Sequence, residues 1–86
     1  MSRQRSMETI LASEYVSIGE LVRLTNSRYS TLKYYAQEGI LTFEQMEENL
    51  TRRFQREKSI ARIEEIKLLK KQGLSIPEIK EFMKKF

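Results

Sequence analysis

The stretch SIGELVRLTNSRYSTLKYYAQEG, residues 17–39, decides the fold. It opens on Ser17 and Glu20, spaced as the N-cap and N3 residues of a capping box, in which each side chain satisfies the other's backbone N–H. Ile18, Leu21, Val22 and Leu24 then recur at helical spacing, so a helix runs to about Leu24. Thr25-Asn26-Ser27 is a run of turn formers. A second helix starts near Ser27 or Arg28 and continues to Glu38, with Gly39 as the left-handed residue that closes a helix C-terminus. Leu32, Tyr35 and Ala36 form its apolar face, leaving Arg28, Ser30, Thr31, Lys33 and Tyr34 outside. Two short helices joined by three or four residues fit a helix-turn-helix, and fit an ordinary helical hairpin as well. Small hydroxyls and bases on the early turns of the second helix favour the former, because those turns reach base edges when such a helix enters a major groove.

Downstream, Ile40-Leu41-Thr42-Phe43 and Leu50-Thr51-Arg52-Arg53-Phe54 are β-prone pieces around a polar excursion, which suggests a small antiparallel hairpin, a wing. Alternation puts Thr51 and Arg53 on one face and Leu50, Arg52 and Phe54 on the other. From about Gln55 a longer helix carries Ile60, Ile63, Ile66 and Leu69, with Leu68 beside them, and ends at Gly73. Ser75 and Glu78 repeat the capping-box spacing, with Pro77 in the first turn where its missing N–H costs nothing. The last helix presents Ile76, Ile79, Phe82 and Met83. Upstream, residues 1–13 show no clean period and read as a loose tail before a domain spanning 14–86. The alternative there is a short helix around Glu8 to Ser13 that packs Ile10 and Leu11. The sequence thus predicts an all-α fold of four helices with a small β wing.

With 86 residues the chain forms one domain with a thin core. Cysteine and histidine are both absent, which removes thiolate metal sites, the most nucleophilic side chain and the commonest general acid/base. The acidic residues are all glutamates, and no pair is flanked by pocket-like apolar sequence, so no catalytic residue, cofactor or metal ligand is expected. No run approaches the roughly 18 apolar residues of a membrane span, and the N-terminus has no secretory apolar stretch. The net charge is +4, and its placement is uneven. Residues 40–50 carry Glu44, Glu47 and Glu48 without a base; residues 51–62 carry Arg52, Arg53, Arg56, Lys58 and Arg62 against Glu57. Such a cluster suits a polyanion, whose affinity comes largely from counterions released at phosphates, although a solvated helix start gives the same pattern.

These pieces in this order resemble the DNA-binding domain of the MerR family. The resemblance rests on Tyr15-Val16-Ser17-Ile18-Gly19-Glu20-Leu21-Val22, on Thr31-Leu32-Lys33-Tyr34-Tyr35 followed by Glu38-Gly39-Ile40-Leu41, on Asn49-Leu50-Thr51-Arg52-Arg53-Phe54 at the wing, and on Ile66 to Lys80 with its helix, glycine, serine, helix ending. The chain departs from the family at the turn, where Asn26, Arg28 and Tyr29 replace the usual glycine and Ser-Pro start. It departs again in the wing loop, where Phe43, Gln45, Met46 and Leu50 stand in place of proline, basic residues and glycine. An acidic loop tip repels phosphate, so residues 44–48 are not expected to touch DNA.

The resemblance implies a cytoplasmic, nucleoid-associated bacterial transcription regulator that binds double-stranded DNA. It implies phosphate contacts from Lys33, Tyr34 and Tyr35, and backbone or minor-groove contacts from Arg52 and Arg53; for Tyr35 core packing competes with that role. Base reading falls to Arg28, Ser30 and Thr31, with Tyr29 beside them. Full-length members usually add a coiled-coil helix and an effector domain, so an excised domain or a minimal member is expected, with no effector site in these residues. One such domain covers little DNA, which calls for a homodimer or a row of copies. Two other readings stand beside this one. A DNA-architectural protein of the excisionase, packaging or segregation kind would keep the same fold. A helical protein-interaction module would dock through Tyr29, Tyr34 and Met46.

Overall fold

Ser17 and Glu20 start the first helix of the central pair as their spacing predicts. The computed structural model describes residues 5–45 and 51–84. In it the Ser17 N–H donates to the Glu20 carboxylate at 2.9 Å, and the Glu20 N–H donates to Ser17 Oγ at 3.2 Å. Helix α2 (Ile18–Thr25) follows and closes on Asn26, whose φ of 52° is left-handed. The Thr25 hydroxyl, buried here, donates back to the Leu21 carbonyl at 2.7 Å. After a three-residue turn, helix α3 (Tyr29–Gln37) buries Leu32, Tyr35 and Ala36. It ends at Gly39, where φ is 79° and the Ile40 N–H returns to the Tyr35 carbonyl at 3.1 Å. That left-handed turn drops Ile40 and Leu41 into the core.

Helix α4 (Arg56–Lys71) starts on Gln55, whose side chain accepts from the Lys58 N–H at 2.6 Å. It buries Ile63, Ile66 and Leu69, packs across α2, and stops before Gly73 with φ 97°. Helix α5 (Ile76–Lys84) begins with the second reciprocal box, Ser75 with Glu78 at 2.9 and 3.4 Å, and buries Ile79. Leu68 and Phe82 were read as core-facing but are 56% and 39% exposed. Leu68 stands two positions after buried Ile66, about 200° around a helix of 3.6 residues per turn, and Phe82 follows buried Ile79 by three positions, which rotates it toward the edge of the buried face.

Two further expectations are corrected. Among the described residues there are five helices, not four: within the presumed tail, helix α1 (Met7–Ala12) forms on a Ser6 cap. It buries Ile10 completely and leaves Leu11 half exposed, so only one of the two residues expected to pack does so. The sheet is also not a free-standing wing hairpin. Strand β1 (Tyr15–Val16) pairs antiparallel with strand β2 (Phe54–Gln55), with Val16 opposite Phe54 and both buried. Among the described residues, the expected hairpin is represented by one antiparallel bridge, Glu44 with Arg53, just beyond Phe43. Chain segments flanking the helix pair thus zip together, and the wing base is pinned to the start of α2. The residues expected to form the wing tip, including Met46, Glu47, Glu48 and Leu50, lie outside the described residues.

Candidate nucleic-acid interface

Helix α3 offers its outer face to solvent. Arg28 is its N-cap residue, is exposed, and makes no side-chain capping bond, since a guanidinium has no acceptor to offer the first-turn N–H groups. Tyr29 and Tyr34 are 54% and 43% exposed, Ser30 and Lys33 are exposed, and Thr31 is half-buried. Tyr35 is 4% exposed and packs in the core, its ring 6.3 Å from that of Tyr34. Burial holds its phenol above the ordinary pKa, with Tyr34 adding to the effect, so Tyr35 supports the helix from beneath while its neighbours face outward.

The wing base lies beside this face. Tyr29 and Lys33 of α3 share an open cleft of about 270 Å³ with Thr51 and Arg52, which Ile18 and Gln45 also line. Arg52 therefore lies beside the outer face of the helix, whereas Arg53 lines a separate groove. Each arginine is braced by a ring. The Arg52 guanidinium carbon lies 4.5 Å above the centre of Phe43, which tilts onto buried Phe54 at 5.7 Å. Arg53 lies 5.2 Å above Tyr15, and its backbone exchanges both hydrogen bonds with Glu44, at 2.8 and 2.9 Å. A guanidinium stacked on a ring keeps its in-plane N–H groups for a phosphate, which it can hold bidentately. The Tyr15 hydroxyl donates to the Glu44 carboxylate at 3.4 Å. That carboxylate, with burial and Glu14, raises the Tyr15 pKa against a smaller opposing pull from Arg53, so the phenol stays a donor at neutral pH.

A second groove, about 310 Å³, shares Arg52 and Thr51 and also takes in Arg53, Ser17, Glu20 and Arg5. Arg5 grips both Glu20 carboxylate oxygens, through Nε at 2.6 Å and Nη2 at 2.7 Å, and donates to Ser13 Oγ at 2.9 Å. The Arg23 side chain in turn donates to the Arg5 carbonyl at 2.7 Å. Arg5 and the two bracing rings were not singled out from the sequence, because each works through a partner distant along the chain.

The basic run 51–62 divides once folded. Arg56 is a structural residue: its Nε donates to the Ser13 carbonyl at 2.8 Å and its N–H to the Glu14 carbonyl at 2.9 Å, tying α4 to the end of α1. Lys58 and Arg62 line a different groove, of about 490 Å³, with Leu41 and Met83. Arg52 of that run lines the cleft with Tyr29 and Lys33 of α3, and Arg53 lines the groove that also takes in Arg5 and Glu20. Among the described residues no group of carboxylates is placed to hold a metal ion, and no helix is long and apolar enough to cross a membrane.

A family model described as MerR HTH family regulatory protein matches residues 16–85. No curated protein and no solved structure matches the chain. Residues 5–15, with Arg5, α1 and Tyr15, precede the matched region.

Proposed function

The chain belongs to the MerR helix-turn-helix family of regulatory proteins, and we propose from this premise that it is a sequence-specific transcription regulator of double-stranded DNA. In this reading α3 enters the major groove, with Arg28, Ser30 and Thr31, and Tyr29 beside them, facing base edges. Lys33 and Tyr34 bond phosphates along the groove wall, and Arg52 and Arg53 hold the flanking backbone. The observation that carries it is the cleft shared by Tyr29 and Lys33 with Thr51 and Arg52, since one duplex can then meet the helix and the wing base together. One copy covers a modest length of DNA, so tight binding requires two copies on adjacent half-sites.

Selection of binding sequences from a random duplex library, followed by salt titration of the selected duplex, tests the proposal. Affinity should fall with salt by roughly one log–log slope unit per phosphate contact. Arg53→Ala should weaken selected and unselected duplexes alike and reduce that slope by about one, whereas Ser30→Ala and Arg28→Ala should also change the selected sequence. Failure of the library to enrich any sequence at low salt, or an Arg53→Ala protein that binds as tightly as the parent, overturns the assignment.

A further inference from the structure

Helix α2 completes its cap with the Glu20 carboxylate at its third position, and the fold puts that carboxylate where an anion would bind. Ser17 directly follows β1, β1 pairs with β2, and β2 continues the wing base, so Glu20 is drawn into the groove that Arg52, Arg53, Ser17 and Thr51 line. An uncompensated carboxylate there repels phosphate. Arg5 closes on both of its oxygens and is itself held by the Ser13 hydroxyl, by the Tyr15 carbonyl at 3.3 Å and, through its own carbonyl, by Arg23. The groove then holds three guanidinium groups against one carboxylate.

We propose that this groove is a second backbone-phosphate subsite and that Arg5, from the segment preceding the family-matched region, is a positioning residue that keeps the subsite cationic by masking Glu20. The inference rests on the reading of the wing base as a DNA contact. Arg52 and Thr51 line both grooves, so the two subsites share these wing residues and adjoin along one path for a phosphate backbone. Arg5 acts through Glu20, with most of its donors already engaged, and not by gripping the phosphate itself.

The test measures affinity and salt slope on a mixed-sequence duplex for Arg5→Gln, for Arg5→Gln with Glu20→Gln, and for Arg5→Gln with Glu8→Gln, alongside Arg53→Ala. Arg5→Gln should weaken binding roughly fivefold at low salt, the factor expected of one unit charge at contact distance in water, and flatten the salt slope by about one. Adding Glu20→Gln should restore affinity and slope, because the carboxylate is gone; glutamine at this position still completes the cap. Adding Glu8→Gln restores the same net charge on α1, outside the groove, and should leave binding weak. The recovered double variant also lacks the ion pair, so its recovery excludes unfolding as the cause of the loss. An Arg5→Gln protein that binds as the parent does, a double variant with Glu20→Gln that stays weak, or equal rescue by Glu8→Gln overturns the proposal. A silent Arg53→Ala sinks the wing reading itself, whereas a weakened Arg53→Ala with a silent Arg5→Gln sinks only the second subsite.

Discussion

Arg52 and Phe43 show how a single side chain turns a flexible cation into a placed one. A free arginine carries about 2 kcal/mol of rotamer entropy, and stacking its guanidinium on a ring removes part of that before any DNA arrives. The Phe43 ring is fixed in turn by Phe54, which is fully buried. Phe43→Leu keeps an apolar side chain against Phe54 but removes the face on which Arg52 rests. It should weaken DNA binding by about 0.5–1 kcal/mol, the usual size of an exposed cation–π contact. Phe43→Tyr should not. The decisive measurement is a double-mutant cycle: in an Arg52→Ala background Phe43→Leu should have no further effect, and an equal loss in both backgrounds would show that Phe43 acts only through packing. The arginines were legible in the sequence because the charge changes sign at Leu50-Thr51. Their braces were not, since Phe43 and Tyr15 read there only as a β-prone aromatic and as part of a family motif. The clamp of Arg5 on Glu20 spans fifteen positions and leaves no periodic trace.

At the scale of elements, what is encoded locally was readable and what needs a distant partner was not. Both capping boxes, the left-handed closures at Gly39 and Gly73, and the boundaries of α2 to α5 follow from residues within a few positions of each other. The strands have two residues each, too few for alternation to show, and their pairing joins residues on either side of the helix pair. The sequence therefore suggested a self-contained wing, whereas β2 pairs with β1 across the molecule. The caps make a prediction about acid. Arg5 first, then the Ser17 backbone and side chain and the Arg5 charge, outweigh burial and hold the Glu20 pKa below its ordinary value; the Ser75 N–H and hydroxyl do the same for Glu78. A carboxylate depressed in the folded state adds stability that is fully present above its unfolded pKa and is lost as pH falls through the folded one. The thermal midpoint should be flat through neutral pH and drop once the pH enters and passes below the ordinary carboxylate range. Glu20→Gln should start lower at neutral pH and drop less on acidification. Ser17→Ala should cost about 1 kcal/mol at neutral pH by opening the cap. Parallel acid curves for Glu20→Gln and the parent would show that the cap does not carry this dependence.

For the whole molecule the question is how a domain this small achieves specific binding. In the proposed reading Tyr29 and Lys33 of α3 meet DNA beside Thr51 and Arg52, and α4 and α5 contribute Ile63, Ile66, Leu69 and Ile79 to the core. A single domain of this kind buries about 600–1,000 Å² against DNA, toward the lower end for specific recognition. Much of the affinity then comes from phosphates and is shared with every sequence, while few side chains of α3 are left to discriminate. Discrimination must therefore be multiplied by a second copy. Two copies joined by a long Gly/Ser linker, on a duplex with two selected half-sites one helical turn apart, should bind about 10²–10⁴-fold more tightly than one copy on one half-site, because the second encounter becomes intramolecular. The linker is flexible and contributes no contact, so the gain should survive a change of spacing by half a turn but fall steeply when the second half-site is replaced by unselected sequence. A gain that ignores replacement of the second half-site would mean that the copies associate through electrostatics along the backbone alone, as a DNA-coating architect would, and not by reading paired sites.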